Sequence, residues 1–544
     1  MWIIRDFAAD RRRAVVASLL SFLLLFSEFL GGSLLRSVMD ESVALPGVGT
    51  VLLFAFGALA LTTVAEPLLF RLMGVGWREG TADDPACHPN RVFAASWILT
   101  FLAWIPCFLA FYPGLYTYDI GWQWSMYEGE GYSTHHSLLH TWLSGTLFRL
   151  GRQLFGSWNE GLALYALFQL LILSGSVAFA VRWLVKIRAP KKVWVTAAAF
   201  YMLFPFFPIM GISTTKDVIY GALCLIVIVG LAEMTCGHAL YRGWRLALFA
   251  IVMILMGLFR NNAVYGVLFV LIALAIACLH HAVCRKSNPL LLQITVLFLV
   301  CAAGIGGMNR ALIRVFDAYE GSVAEMLSVP CQQLARAWIY HGDEMTEEEK
   351  EQLFYYIPEV SLNGYTYYLS DPVKSGLNLI GVKEDPGGFV SLWARLGREY
   401  PAEYILSPLY NTMGLWYLTG DSSCYVDFGQ AWIFDDAHVI EPDSRLPALQ
   451  EAYRWFQNGN IRRTFPLVGM VFYTSFYAWV LYFCLGTLFA EKRYLEMAGP
   501  LYLFAYVLTL ALGPCIQIRY MFGTLLCAPV LIVVMSRKTG RAEA

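Results

Sequence analysis

Apolar residues run through this chain in long blocks rather than in short alternations. Blocks of about 18 residues, enough to cross a hydrocarbon core of about 30 Å, centre on 15–32, 49–71, 93–111, 161–184, 193–210, 218–235, 244–259, 263–282, 290–308, 466–490, 497–513 and 519–536. The pattern predicts an all-α polytopic membrane protein with about twelve transmembrane helices. The first block follows Arg11, Arg12 and Arg13. It is too long for a removable signal peptide and lacks a small-residue cleavage site, so it reads as a retained span.

Polar residues organise what lies between the blocks. If the basic N-terminus is cytoplasmic, twelve crossings put Lys186, Arg188, Lys191 and Lys192 on the same side, with Arg242 and Arg245, Arg285 and Lys286, Lys492 and Arg493, and Arg537, Lys538 and Arg541. That agreement is the positive-inside pattern, and it places both termini in the cytoplasm. The opposite side receives 112–160, the turns at 211–217, 260–262 and 514–519, and the long polar segment 310–465. This segment carries the turn signals Asn363-Gly364 and Asp385-Pro386-Gly387-Gly388. It is expected to be a mostly helical extracytoplasmic domain. Thr346 followed by Glu347, Glu348 and Glu349 reads as a capping box, and the aromatic stretch from Phe389 to Tyr417 is expected to lie back on the membrane surface. The chain thus divides into an N-terminal helix pair (1–92), a core module (93–309), the outer domain (310–465) and C-terminal helices with a tail (466–544).

Composition narrows the function classes. With 58% hydrophobic and 15% charged residues a soluble multidomain reading is excluded, and a net charge of -1 leaves no field for gripping nucleic acid. Most of the 12 Cys fall inside apolar blocks, as small buried hydrophobes do. Cys331, Cys424 and Cys515 are expected outside, where one pair has the option of a disulfide.

Ionisable groups beside a span are costly and mark functional candidates. The loop after the third block reads Tyr112-Pro113-Gly114-Leu115-Tyr116-Thr117-Tyr118-Asp119-Ile120-Gly121-Trp122-Gln123, then Ser133-Thr134-His135-His136-Ser137-Leu138-Leu139-His140. Asp119 sits among aromatics, where desolvation is expected to raise its basicity and suit it to take a proton from a hydroxyl; an ordinary interfacial turn acid is the alternative. His136 and His140 share a helical face at a spacing that suits a metal, with no third ligand fixed by spacing; polar interface contacts or substrate contacts are the alternatives. Lys216-Asp217 opens the sixth block, Arg260-Asn261-Asn262 lies between the seventh and eighth, and Arg519-Tyr520 opens the last. Each cation alone reads as an interface anchor. Together they lie on the side where cations are scarce, facing one carboxylate, and a lipid-linked phosphate suits that arrangement: Lys216, Arg260 and Arg519 would neutralise the leaving phosphate while Asp119 deprotonates the acceptor.

These motifs in this order, with Pro330-Cys331-Gln332-Gln333 early in the outer domain, resemble the GT-C superfamily of integral-membrane glycosyltransferases, and within it a largely uncharacterised bacterial branch. The resemblance covers the chain from about residue 93 onward. It implies a GT-C-like helical enzyme that transfers a sugar from a polyprenyl-phosphate donor to an extracytoplasmic cell-envelope glycan, lipid or protein, usually with inversion. Asp119 is then the catalytic acid/base residue, and Lys216, Arg260 and Arg519 the donor-phosphate site. His135, His136, His140, Asp217, Asn261, Asn262, Gln123, Tyr520, and Gln332 and Gln333 reaching down from the outer domain, become substrate-binding or orienting residues, with a divalent metal left open. Two features depart from the superfamily pattern: Glu128 and Glu130 stand displaced from Asp119 where relatives pair two acids, and Ser137 stands where a Pro often follows the His pair. Two other readings stay open, a secondary transporter and a lipid-linked oligosaccharide polymerase or ligase.

Overall fold

The computed structural model describes residues 10–39, 46–78, 88–117, 119–321, 323–418, 440–457 and 464–538. It is all-α apart from one pair of two-residue strands. The N-terminal part contains α1 (Arg11–Met39), α2 (Val48–Gly74), β1 (Trp77–Arg78) and α3 (Pro89–Ala110). Next come α4 (Ile120–Ser125), α5 (Leu138–Phe155), α6 (Trp158–Lys186), α7 (Lys191–Leu203), α8 (Phe206–Ile212), α9 (Lys216–Cys236), α10 (Trp244–Phe259), α11 (Ala263–Val283) and α12 (Pro289–Val315). The segment after α12, called the outer segment for its expected position, is built on α13 (Ser328–His341), α14 (Glu347–Tyr356), α15 (Pro386–Glu399) and α16 (Pro401–Asn411), joined by shorter turns. The chain closes with α17 (Pro447–Gln457), α18 (Thr474–Ala490), α19 (Ala498–Ala511), α20 (Ile518–Ser536) and β2 (Arg537–Lys538), which pairs in parallel with β1.

Among the described residues nine helices are long and apolar enough to cross a membrane, counting α19 with the turn that opens at Tyr494. The protein is a multi-pass membrane protein. The other three predicted blocks are also helical but interrupted or short: α10 and α18 are short apolar helices, and α7 and α8 meet at a 49° bend. The bend has a local cause. Phe204 precedes Pro205, whose ring disfavours a helical conformation one residue back, and Phe204 is extended at φ −72°, ψ 117°.

α9 is the axis of the bundle, nearly enclosed by its neighbours. Small residues let α20 approach it: Gly221 faces Phe522 and Leu526, and Gly523 faces Tyr220 and Cys224. The crossing of α5 and α6 is tighter still. A methyl added at Gly161 would lie 2.5 Å from the Phe148 carbonyl oxygen, and one at Gly151 2.6 Å from that of Glu160. Backbone cannot swing aside as a side chain does, so Gly161→Ala is expected to destabilise by about 1–3 kcal/mol, read as a lower unfolding temperature in detergent. Gly306→Ala, with nothing within 4 Å of the added methyl, is expected to be neutral or stabilising by up to about 1 kcal/mol.

The two ends of α9 carry different charge clusters. Lys216 and Asp217 open it, while near its close Glu233 pairs with Lys186 and Arg245. Cys236 donates to Glu496, which Arg493 holds at 2.6 Å. Asp217 and Glu233 are sixteen residues apart on one helix, which separates the clusters by about 24 Å.

The outer segment has its own core, in which Cys331, Leu334, Leu353, Tyr356 and Leu362 are buried together. The capping box at Thr346 and Glu349 is formed. Phe389, Leu392 and Leu396 enter this core, so these residues of the 389–417 stretch pack inward and do not serve as a membrane-facing surface: they lie three and four apart on one face of α15, and the outer core supplies the partner. Cys331 is a free thiol, and Cys424 lies outside the described residues.

Helix α1 braces this segment. The Tyr410 hydroxyl donates to the Leu34 carbonyl at 3.0 Å, the Leu418 N–H donates to Glu28 at 2.7 Å, and the Tyr417 ring lies on Gly31.

Candidate functional site

Asp119 begins α4, directly after a segment pinned to the bundle by its backbone. Leu115 N–H donates to the Ile212 carbonyl at 2.9 Å, and Thr214 N–H donates back to Leu115 at 3.0 Å. Thr214 Oγ1 accepts the Thr117 N–H at 2.9 Å. Gly114 takes the left-handed φ of 132° that this turn requires. The loop carrying Asp119 is therefore stitched to the strand-like residues just before Lys216, and the two side chains meet although 97 residues separate them.

Lys216 Nζ donates to Asp119 Oδ2 at 3.1 Å, and Arg519 Nη1 reaches the same oxygen at 3.4 Å. Lys216 also donates to His136 Nδ1 at 3.3 Å. An ammonium only donates, so Nδ1 is the accepting nitrogen and the proton of the neutral ring sits on Nε2. No described residue donates to Asp119 Oδ1, and the side chain keeps 31% of its surface exposed. One carboxylate oxygen is held by two cations, and the other takes no hydrogen bond from a described residue.

Burial alone raises the Asp119 carboxyl, but the Arg519 and Lys216 charges outweigh it and hold it well below the ordinary carboxylate range. This reverses the sequence expectation of raised basicity: desolvation is present, and the cations beside it win. A protonated His136 would add to that pull, yet burial and then Lys216 push His136 down to about 3, so it is neutral.

A second layer sits beneath. Asp217, fully buried, pairs with Arg260 and accepts from Thr215 Oγ1 at 3.0 Å. Thr215 in turn caps α9. Arg260 and Arg519 lie 4.6 and 4.5 Å from the centroid of the Tyr520 ring, and Arg519 donates to the Tyr520 hydroxyl at 2.6 Å and to Gln517 at 3.0 Å. Arg260, expected among the phosphate ligands, is thus neutralised by Asp217. It positions Tyr520, and through it Arg519, instead of facing Asp119.

His140 is fully buried, with its ring nitrogens 2.6 Å from Gln123 Oε1 and 2.6 Å from the Tyr165 hydroxyl. The Tyr165 hydroxyl donates to Gln169, whose amide donates to the Ser213 carbonyl at 2.7 Å. Both nitrogens of His140 are occupied and Nδ1 of His136 faces Lys216, so the pair does not converge as metal ligands. Among the described residues no group of three or more His, Cys, Asp or Glu side chains does. Tyr165, Gln169, Thr215 and Gln517 were missed from sequence; a Tyr and a Gln four apart inside the apolar block 161–184 were the available signal for the first two.

The remaining sequence candidates split. His135 is exposed and edges onto His136 at 4.5 Å. Asn261 donates to the Thr134 carbonyl at 3.0 Å, holding the His loop. Asn262 opens α11 without a side-chain capping bond. Ser137, in place of the expected Pro, caps α5 and donates to the Leu258 carbonyl at 2.7 Å. Gln332 and Gln333 do not reach the site. They are buried in the outer segment, donating to the Thr366 and Tyr404 carbonyls at 2.9 and 2.8 Å, because a Gln amide inside a helical core takes whichever loop carbonyl lies nearest. The outer segment reaches the site by its backbone: Gly321 N–H donates to Thr134 Oγ1 at 2.8 Å beside His135, and Ser370 N–H donates to the Pro514 carbonyl at 2.9 Å, ahead of Arg519.

No match is found among curated proteins or among solved structures. One family model does match, described as a family of unknown function (DUF6020), over residues 131–544. That range includes the His loop, Lys216, Asp217, Arg260 and Arg519 and begins after Asp119. It covers well over half of the chain, which belongs to this family.

Proposed function

We propose that the chain is a GT-C-like glycosyltransferase that moves a sugar from a polyprenyl-phosphate donor to a cell-envelope acceptor, on the extracytoplasmic side. The observation that carries this reading is the shared hold of Lys216 and Arg519 on one oxygen of Asp119, at 3.1 and 3.4 Å, with no described residue donating to the other oxygen. Two cations beside one carboxylate suit a reaction that removes a proton at one atom and releases a dianionic phosphate at another. The acceptor hydroxyl gives its proton to Asp119 as its oxygen bonds to the anomeric carbon. The bond from that carbon to the phosphate oxygen breaks, and the leaving polyprenyl phosphate keeps the electron pair, its charge met by Lys216 and Arg519. Neutral His136 orients the Lys216 ammonium. The cluster enriched in Lys and Arg at the far end of α9 supports a cytoplasmic assignment for that end.

Donor binding also switches the base on. A phosphate that draws Lys216 and Arg519 removes the charges that depress the Asp119 carboxyl, so its basicity rises when the donor is seated. The base must be ionised, so activity falls as pH drops through its pKa. The acid limb of kcat/KM, set by the free enzyme, is expected below the ordinary carboxylate range, and the limb of kcat, set by the complex, at higher pH. Coincident limbs would exclude the switch.

The reading is tested in proteoliposomes by supplying a monosaccharide-lipid, an oligosaccharide-lipid, or a free solute for counterflow. Consumption of the monosaccharide-lipid with release of polyprenyl phosphate is expected. Exclusive use of the oligosaccharide-lipid would mark a polymerase or ligase, and counterflow without any donor a transporter.

A further inference from the structure

We propose that the cleft where α5 ends and α6 begins binds the phosphate of an anionic phospholipid headgroup, at a place separate from the Asp119 cluster. A cavity of about 340 Å³ opens there, lined by Glu128, Arg149, Arg152, Gln153, Gly156 and Trp158. Two guanidinium groups against one carboxylate leave the lining with an excess of positive charge. Both lie over aromatic rings, the guanidinium carbon of Arg149 4.9 Å from the Tyr127 centroid and that of Arg152 4.4 Å from the Trp158 centroid. A stacked guanidinium keeps its in-plane N–H edge for an acceptor and loses little freedom when one arrives. Arg149 already shows this with a carboxylate, donating to Glu128 Oε1 through Nε at 3.1 Å and Nη2 at 2.8 Å. Arg152 has no carboxylate partner among the described residues.

The neighbourhood says which anion. α5 also presents Trp142, Leu150 and Leu154 on one side, which keep 45, 40 and 63% of their surface exposed. An apolar row beside a cationic edge on one amphipathic helix is the arrangement of a helix lying in the membrane interface, where an acyl chain follows its phosphate onto the same surface. α6 runs from this cleft to Lys186, the partner of Glu233 near the close of α9, so the cleft is on the end of the bundle that carries Asp119. None of this depends on sugar transfer.

The full chain, purified in a neutral detergent, is titrated with dioleoyl phosphatidylglycerol, dioleoyl phosphatidylcholine or inorganic phosphate, reading bound lipid by native mass spectrometry and the unfolding temperature in parallel. Phosphatidylglycerol is expected to bind saturably and raise the unfolding temperature, and the other two to do neither. Arg152→Gln is expected to weaken phosphatidylglycerol about fivefold, and the Arg149→Gln, Arg152→Gln double variant about 25-fold. Asp119→Asn is expected to bind it as the wild type does. Equal affinity in the double variant, the same stabilisation by inorganic phosphate, or dependence of the binding on Asp119 would each overturn the proposal. So would wild-type protein that binds phosphatidylglycerol no more tightly than phosphatidylcholine, a comparison that needs no variant to fold.

Discussion

Asp119→Asn is expected to cut sugar transfer about a thousandfold, roughly 4 kcal/mol of transition-state stabilisation, while the protein still inserts and folds. The amide keeps the shape of the carboxylate and loses the capacity to take a proton. It also frees Lys216 and Arg519, which now share one oxygen of Asp119 at 3.1 and 3.4 Å. Affinity for the donor phosphate is therefore expected to hold or to tighten, and the loss to appear in kcat and not in KM. That split separates a missing base from a damaged pocket. Transfer within tenfold of the wild type would remove Asp119 from the chemistry.

The second large effect is expected one layer down. Asp217 is fully buried and pairs with Arg260, itself 7% exposed. Asp217→Asn leaves a buried guanidinium without its counter-charge, and breaking such a pair from one side costs about 3–5 kcal/mol. The unfolding temperature should fall sharply. Donor affinity should weaken in the same variant, because Arg260 lies on the Tyr520 ring that also carries Arg519. Removing both charges, in Asp217→Asn with Arg260→Met, is expected to recover much of the stability and little of the donor affinity. The double-mutant cycle reports a coupling between the two positions if the pair is the cause. Additive losses would mean that each side chain acts on its own.

The long apolar blocks were readable because crossing a membrane demands length and composition that chance rarely supplies. Breaks inside them were not, as the bend at Phe204 and Pro205 shows: a proline signal weighs little against eighteen apolar residues until a neighbouring helix fixes the backbone. The meeting of Asp119, Lys216 and Arg519 was anticipated from the one membrane face on which the sequence predicts all three. Their pairing on a single oxygen depends on the Leu115 and Thr214 backbone bonds, which no residue type announces. Arg260 illustrates the limit. A phosphate-binding and a structural arginine look alike in sequence, and only the acid next to Lys216 along the chain decided between them. Gln332 and Gln333 failed for a related reason, since an amide serves a loop carbonyl as well as a sugar hydroxyl.

The most direct test of the account is the binding of polyprenyl phosphate, the expected product, to purified wild type, Lys216→Met and Arg519→Gln. If these cations hold the phosphate, each single variant should bind it about 10- to 100-fold more weakly, as loss of a charge-assisted hydrogen bond implies, with Asp119→Asn binding at least as tightly as the wild type. Unchanged affinity in both cation variants would contradict a phosphate site at this cluster.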